Sequence, residues 1–174
     1  AILGDELVGK TSLAFRFLEL FHDCRTLSVY VEVRPEAIFS FARRFIGTIL
    51  YSFLANSGIA LKEDLEFLLG KSERYIPRTV KDVRGILANL KKRKKFNLFA
   101  GLVSLTDSIY EETGKSCIVI FDEFHNLENL GLKKLYSEWA KVLVTQKTTM
   151  YIIISSRKAR ARAILAKELS LLFG

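Results

Sequence analysis

Near the start of the chain stands Gly4-Asp5-Glu6-Leu7-Val8-Gly9-Lys10-Thr11, followed by Ser12. Two glycines bracket four variable positions, and a lysine and a hydroxyl follow. This spacing is that of a loop that wraps phosphate. Glycines at both ends let the backbone turn tightly and aim N–H groups inward. A helix beginning at the loop adds the partial positive charge of its N-terminus. Lys10 would place a full charge near the β- and γ-phosphates, and the Thr11 hydroxyl is a hard oxygen suited to Mg²⁺. Ile2-Leu3 before the loop and Leu13-Ala14-Phe15-Arg16-Phe17-Leu18 after it give the strand–loop–helix setting such a loop requires.

The rest of the chain alternates strand and helix signals. Residues 11–22 predict the helix after the loop, with Leu13, Phe17, Leu18 and Phe21 at helical spacing. Residues 26–33 (TLSVYVEV) are short and rich in β-branched and aromatic residues, so they predict a strand. Helices are expected over 36–55 with an apolar stripe of Phe39, Phe45, Ile46, Ile49, Leu50 and Phe53, over 61–75 with an interruption at Gly70, over 79–90 and over 96–112. Gly114 caps the last of these. Residues 116–121 (SCIVIF) are almost wholly apolar, the pattern of a central strand covered on both faces. A helix over 130–145, a strand over 149–154 (TMYIII) and a helix over 158–172 complete the pattern. Trp139 is expected in the core. The expected fold class is α/β: a parallel sheet with helices on both faces, a three-layer α/β/α arrangement. Residues 57–113 read as a helical insertion between the second and third strands, within one domain spanning 1–174.

Length and composition fit that domain. The chain has 174 residues, 49% of them hydrophobic and 26% charged, which is globular rather than disordered. No apolar run is expected to reach the ~18 residues of a membrane span, so no membrane partner is expected. Cys24 and Cys117 read as buried thiols of a reducing, cytoplasmic setting. The short first strand and apolar end suggest a piece of a longer protein. The formal charge is +8. It fits first a solvated lysine-rich surface, and second an attraction to DNA phosphates through Lys91–Lys95 and through Arg157, Lys158, Arg160 and Arg162.

A second motif completes the first. Residues 117–123 (CIVIFDE) form an apolar strand with two acids at its tip. Asp122 is placed to hold Mg²⁺ beside Thr11, and Glu123 to orient or deprotonate a water attacking the γ-phosphate. His125, just beyond, reads as a structural hydrogen bonder. Ligands on parallel sheets bind at the carboxyl ends of the strands. The loop, Asp122-Glu123 and Ser155-Ser156-Arg157 all fall there.

These motifs resemble a known group. GDELVGKT is similar to Walker A and CIVIFDE to Walker B with an adjacent acid. GKTSL, FDEFHNL and YIIISSR together resemble AAA+/STAND-type P-loop NTPases, in particular the prokaryotic ATPase family common in archaea. The resemblance implies ATP with Mg²⁺ rather than GTP, and ATP hydrolysis that moves attached domains or neighbouring subunits, including self-association through the ATPase domain. It also implies that the strand over 149–154 lies between the loop strand and the Walker B strand. Ser155, Ser156 or Arg157 would then sense the γ-phosphate. Arg157 reads equally as the solvent-facing start of a basic helix.

The expected site therefore comprises Gly4, Asp5, Glu6, Leu7, Val8, Gly9, Lys10, Thr11 and Ser12 around the nucleotide, with Thr11 and Asp122 on the metal. Lys10, Glu123, Ser156 and Arg157 serve the chemistry. Asp5 and Glu6 depart from the pattern, since acids beside phosphates repel them unless they point elsewhere. Two other readings use the same residues: a nucleotide-gated switch with little turnover, and a DNA-associated regulator with ATP as effector.

Overall fold

A computed structural model describes residues 1–55, 61–92 and 98–170. It is an α/β fold built on a four-stranded, all-parallel sheet. In chain order the elements are β1 (Ile2–Leu3), α1 (Lys10–Leu20), β2 (Thr26–Glu32), α2 (Ile38–Ala55), α3 (Leu65–Ser72), α4 (Pro77–Lys91), α5 (Leu98–Thr113), β3 (Ser116–Asp122), α6 (Leu135–Thr145), β4 (Thr149–Ser155) and α7 (Lys158–Ala163). The spatial order is β1-β4-β3-β2, so β4 does lie between β1 and β3. No strand is found among the described residues between β2 and β3; four helices occupy that stretch.

Side chains on a strand alternate between faces, and the two faces build separate clusters. On one, Ala14, Phe17, Leu18 and Phe21 of the α1 region pack on Ile118, Ile120 and Ile154. On the other, Leu27, Val29, Val31, Val119 and Phe121 meet α2, α5 and α6. Burial on both faces explains the unbroken apolar run of β3. Trp139 lies in this second core, 1% exposed. Its indole stands edge-on to Phe99, Phe121 and Tyr151, with centroids 5.4–5.5 Å apart.

Several local expectations are corrected. Leu13 does not join the α1 core but stands 57% exposed, and Phe39 of α2 is also exposed. Gly70 does not interrupt α3. That helix starts at Leu65 because Asp64 caps it, accepting from the Phe67 N–H at 2.7 Å. The helix expected from 130 starts at Leu135, since Gly131 (φ 68°) and Lys134 (φ 58°) are left-handed and cannot continue a helix into it. Phe124–Leu130 is instead a 3-10 helix. Its buried residues Phe124, Leu127 and Leu130 recur every third position, the period of that helix. After α7 the chain passes into a π-helical turn, Ile164–Glu168. Cys117 is buried, and burial pushes its thiol up to about 12, but Cys24 is exposed in the turn between α1 and β2.

α2 also overturns the expectation about apolar runs. It has 18 residues and a mean hydropathy of 1.3, long and apolar enough by those measures to cross a membrane. Here its buried residues Phe41, Phe45, Ile46, Ile49 and Leu50 belong to the sheet-facing core.

Two of the helices between β2 and β3, α4 and α5, are tied together by an acid. Glu112 of α5 accepts from the Arg78 and Thr79 N–H groups at 2.8 Å and from Thr79 Oγ1 at 2.7 Å, capping α4 from outside. Burial raises its carboxyl pKa, but these bonds outweigh that and hold it below the ordinary value. The folded state thus favours the charged form. Its stabilisation is present above the ordinary value of 4.5 and is lost as pH falls through the lower folded value. Glu112→Ala is expected to destabilise the fold by about 1–2 kcal/mol at neutral pH. In urea titrations at several pH values, the difference from wild type should shrink below pH 4.5.

Candidate functional site

The site is assembled at the carboxyl ends of β1, β3 and β4. The loop between β1 and α1 needs its two glycines for different reasons. Gly9 has φ 83°, a left-handed conformation at the entry to α1. Gly4 is needed for space: a Cβ there would lie 3.0 Å from Val8 Cγ2 and 3.4 Å from Lys10 Cδ. Leu7 also has positive φ and points its side chain wholly into solvent. Lys10 is 8% exposed, and its ammonium donates to the Asp5 carbonyl at 2.5 Å across the loop.

The loop meets the β3 tip directly. Thr11 Oγ1 donates to Asp122 Oδ2 at 2.6 Å, joining residues 111 apart in sequence. Asp122 is buried, and its charge is satisfied by two further donors: Tyr30 OH at 2.7 Å on the same oxygen and the Glu123 N–H at 2.9 Å on the other. Glu123 follows in a left-handed conformation (φ 51°), which turns the chain out of β3 into the 3-10 helix. Its Oε2 accepts from the Ser156 N–H at 3.0 Å and from Ser156 Oγ at 2.8 Å. A cavity of about 420 Å³ is lined by Glu6, Leu7, Gly9, Lys10, Thr11, Ser12 and Glu123. Seven residues from the two sequence motifs thus face one space. Ser156 and Arg157 are not among that lining, and Arg157 is exposed.

A larger cavity, about 810 Å³, opens between α2 and α3 beside Phe39, Arg43 and Tyr51. The loop and the β3 and β4 tips contribute nothing to it, so volume alone does not mark the site.

Around this centre three contacts were not foreseen. Tyr30 sits on β2, its ring against Phe15 at 4.6 Å between centroids. The visible signal was its phase: Thr26, Ser28, Tyr30 and Glu32 form the more polar alternate set of β2. Burial, then the bond to Asp122, pushes the phenol well above its ordinary value, so it remains a donor. His125 Nδ1 lies 2.9 Å from Ser155 Oγ and 3.3 Å from Glu123 Oε2. This agrees with the expected structural role. Burial pushes the imidazole below its ordinary value, with Glu123 opposing, so only the Nδ1–H tautomer can donate to that carboxylate near neutral pH. Asp5 pairs with Lys158 of α7 at 2.8 Å, and that contact holds its carboxyl below the ordinary value. The acid in the loop thus has a cationic partner on α7.

The basic stretches are less free than their sequences suggest. Lys158 is engaged by Asp5 and Arg160 by Glu128. Lys91 and Lys92 are exposed at the end of α4, while residues 93–95 lie outside the described residues.

Among the described residues no group of three His, Cys, Asp or Glu side chains could hold a metal alone. Mg²⁺ commonly takes only one or two protein oxygens, with phosphates and water completing its shell. The adjoining Thr11 hydroxyl and Asp122 carboxylate are a donor set of that kind, so the residues fit the ion.

Compared with protein-family models, with curated proteins and with solved structures, the chain matches none of them. Function therefore has to be argued from the site itself.

Proposed function

We propose that this chain is an ATPase module, a P-loop NTPase of the AAA+/STAND type in which α3, α4 and α5 form a helical insertion. The observation that carries the reading is the 2.6 Å bond between Thr11 and Asp122. A chance loop pattern has no reason to meet the tip of an apolar strand so far away in sequence. In this reading the loop N–H groups and the Lys10 ammonium bind the triphosphate. Thr11 and Asp122 hold Mg²⁺, which when bound neutralises charge on the β- and γ-phosphate oxygens. Asp122 is oriented by Tyr30 and by the Glu123 N–H. Glu123 reaches the same cavity and orients or deprotonates the attacking water. Catalysis is then mostly positioning and charge stabilisation. The energy of hydrolysis would be passed to attached domains or to neighbouring copies.

Calorimetric titration of the chain with ATP and Mg²⁺ tests this. Lys10→Ala should weaken ATP binding by at least about tenfold, the value of a charge-assisted hydrogen bond in a partly buried site. Equal affinity in the variant would overturn the assignment of the site.

A further inference from the structure

Ser156 was one of three residues, with Ser155 and Arg157, expected to sense the γ-phosphate. Its contacts assign it elsewhere. Both of its polar donors, the backbone N–H and Oγ, go to one oxygen of Glu123. The residue is absent from the lining of the cavity that Glu123 shares with Lys10 and Thr11. The neighbouring Ser155 is fully buried, and its Oγ accepts from the Arg157 N–H at 3.1 Å while lying against His125. The side chains at the tip of β4 are thereby wired to the tip of β3, while its backbone meets the loop through the Gly4 N–H, which donates to the Ser155 carbonyl at 3.3 Å.

We propose that Ser156 is a positioning residue for Glu123: it clamps Oε2 so that the carboxylate presents Oε1 to the water in the cavity. This deepens the ATPase reading and rests on it. The physical need is clear. Glu123 emerges from a left-handed residue at a strand end, and its side chain has three torsions to settle. A general base misplaced by an ångström loses much of its effect. Two donors converging on one carboxylate oxygen remove that freedom, and a third group, His125, stands 3.3 Å from the same oxygen. Ser156 acts only through Glu123, to which its hydroxyl proton is donated.

The experiment is a pair of substitutions, each in wild-type and Glu123→Gln backgrounds, with ATP and ADP binding and steady-state hydrolysis measured on the same preparations. Ser156→Ala should lower kcat on the order of tenfold, the effect of losing one hydrogen bond to a charge. KM and the affinities for ATP and ADP should stay within about twofold, since a positioning role contributes no uniform binding. Ser156→Thr, which keeps the hydroxyl, should restore most of the rate. In the Glu123→Gln background Ser156→Ala should cause no further loss, because the group it acts through is gone. Should alanine lower the melting temperature, Ser156→Cys keeps the volume while weakening the bond and takes its place.

An unchanged kcat overturns the role. So does a selective loss of ATP over ADP affinity in both backgrounds, which would mean a direct γ-phosphate contact. A wild type that binds ATP in a Lys10-dependent way without hydrolysing it overturns the positioning role but not the binding site. Failure of Lys10-dependent binding overturns the ATPase reading and this role with it.

Discussion

Glu123→Gln should lower ATP hydrolysis by about 10²–10⁴-fold, the usual contribution of a positioned general base, while leaving ATP binding intact. The substitution is nearly isosteric. The amide oxygen of Gln can still accept from the Ser156 N–H and Oγ, which now hold Oε2 at 3.0 and 2.8 Å. The backbone bond from residue 123 to Asp122 Oδ1 is also kept. What is lost is the negative charge and the basicity. Single-turnover hydrolysis alongside calorimetric binding separates the two quantities. A large fall in rate at constant affinity supports an ATPase whose base is Glu123. A slow wild-type rate that the substitution leaves unchanged would favour the nucleotide-gated switch. Loss of binding as well would mean that Glu123 holds the loop in shape rather than serving the reaction.

Phe121→Ala should destabilise the fold by about 3–5 kcal/mol, the range for removing a fully buried aromatic ring. Phe121 is completely buried. Its ring lies 5.9 Å from Phe45 of α2, 6.1 Å from Phe99 of α5, 5.5 Å from Trp139 of α6 and 6.1 Å from Tyr151 of β4, centroid to centroid. It is the point where three helices and a neighbouring strand meet the central strand. A cavity there cannot be closed by one neighbour moving, because each is packed against the others. Urea unfolding followed by circular dichroism would read the change as a lower midpoint. Leu20→Ala on the exposed side of α1 is the control, with an expected change within about 0.5 kcal/mol. Phe121 directly precedes Asp122. In the folded fraction, the variant should therefore also bind nucleotide more weakly than its stability alone predicts.

Much of this molecule was legible in local pattern. The apolar run of β3, the alternation in β2 and the glycine spacing of the loop depend on neighbours within a few residues. They marked the strands and most of the helices, and brought forward Lys10, Thr11, Asp122 and Glu123 as candidates. The structure brings those four together, Lys10, Thr11 and Glu123 around one cavity and Asp122 through its bond to Thr11. Element ends were less legible where left-handed residues intervened, as at Gly131 and Lys134, since nothing in the identity of a lysine announces a positive φ.

Only the tertiary structure decided how the acids are held. Tyr30 reaches Asp122 because β2 pairs in parallel with β3 in a register that sets Glu32 beside Asp122. Ser156 reaches Glu123 because β4 runs beside β3 and both end at the same edge. Asp5, the least expected residue of the loop, is matched by Lys158, 153 positions later in the chain. Each of these contacts joins side chains far apart in sequence through strand register, and register is a property of the assembled sheet. The sequence by itself therefore determined which groups are candidates for phosphate chemistry. The packing of four parallel strands determined which of them face the cavity and which stand behind and steer them.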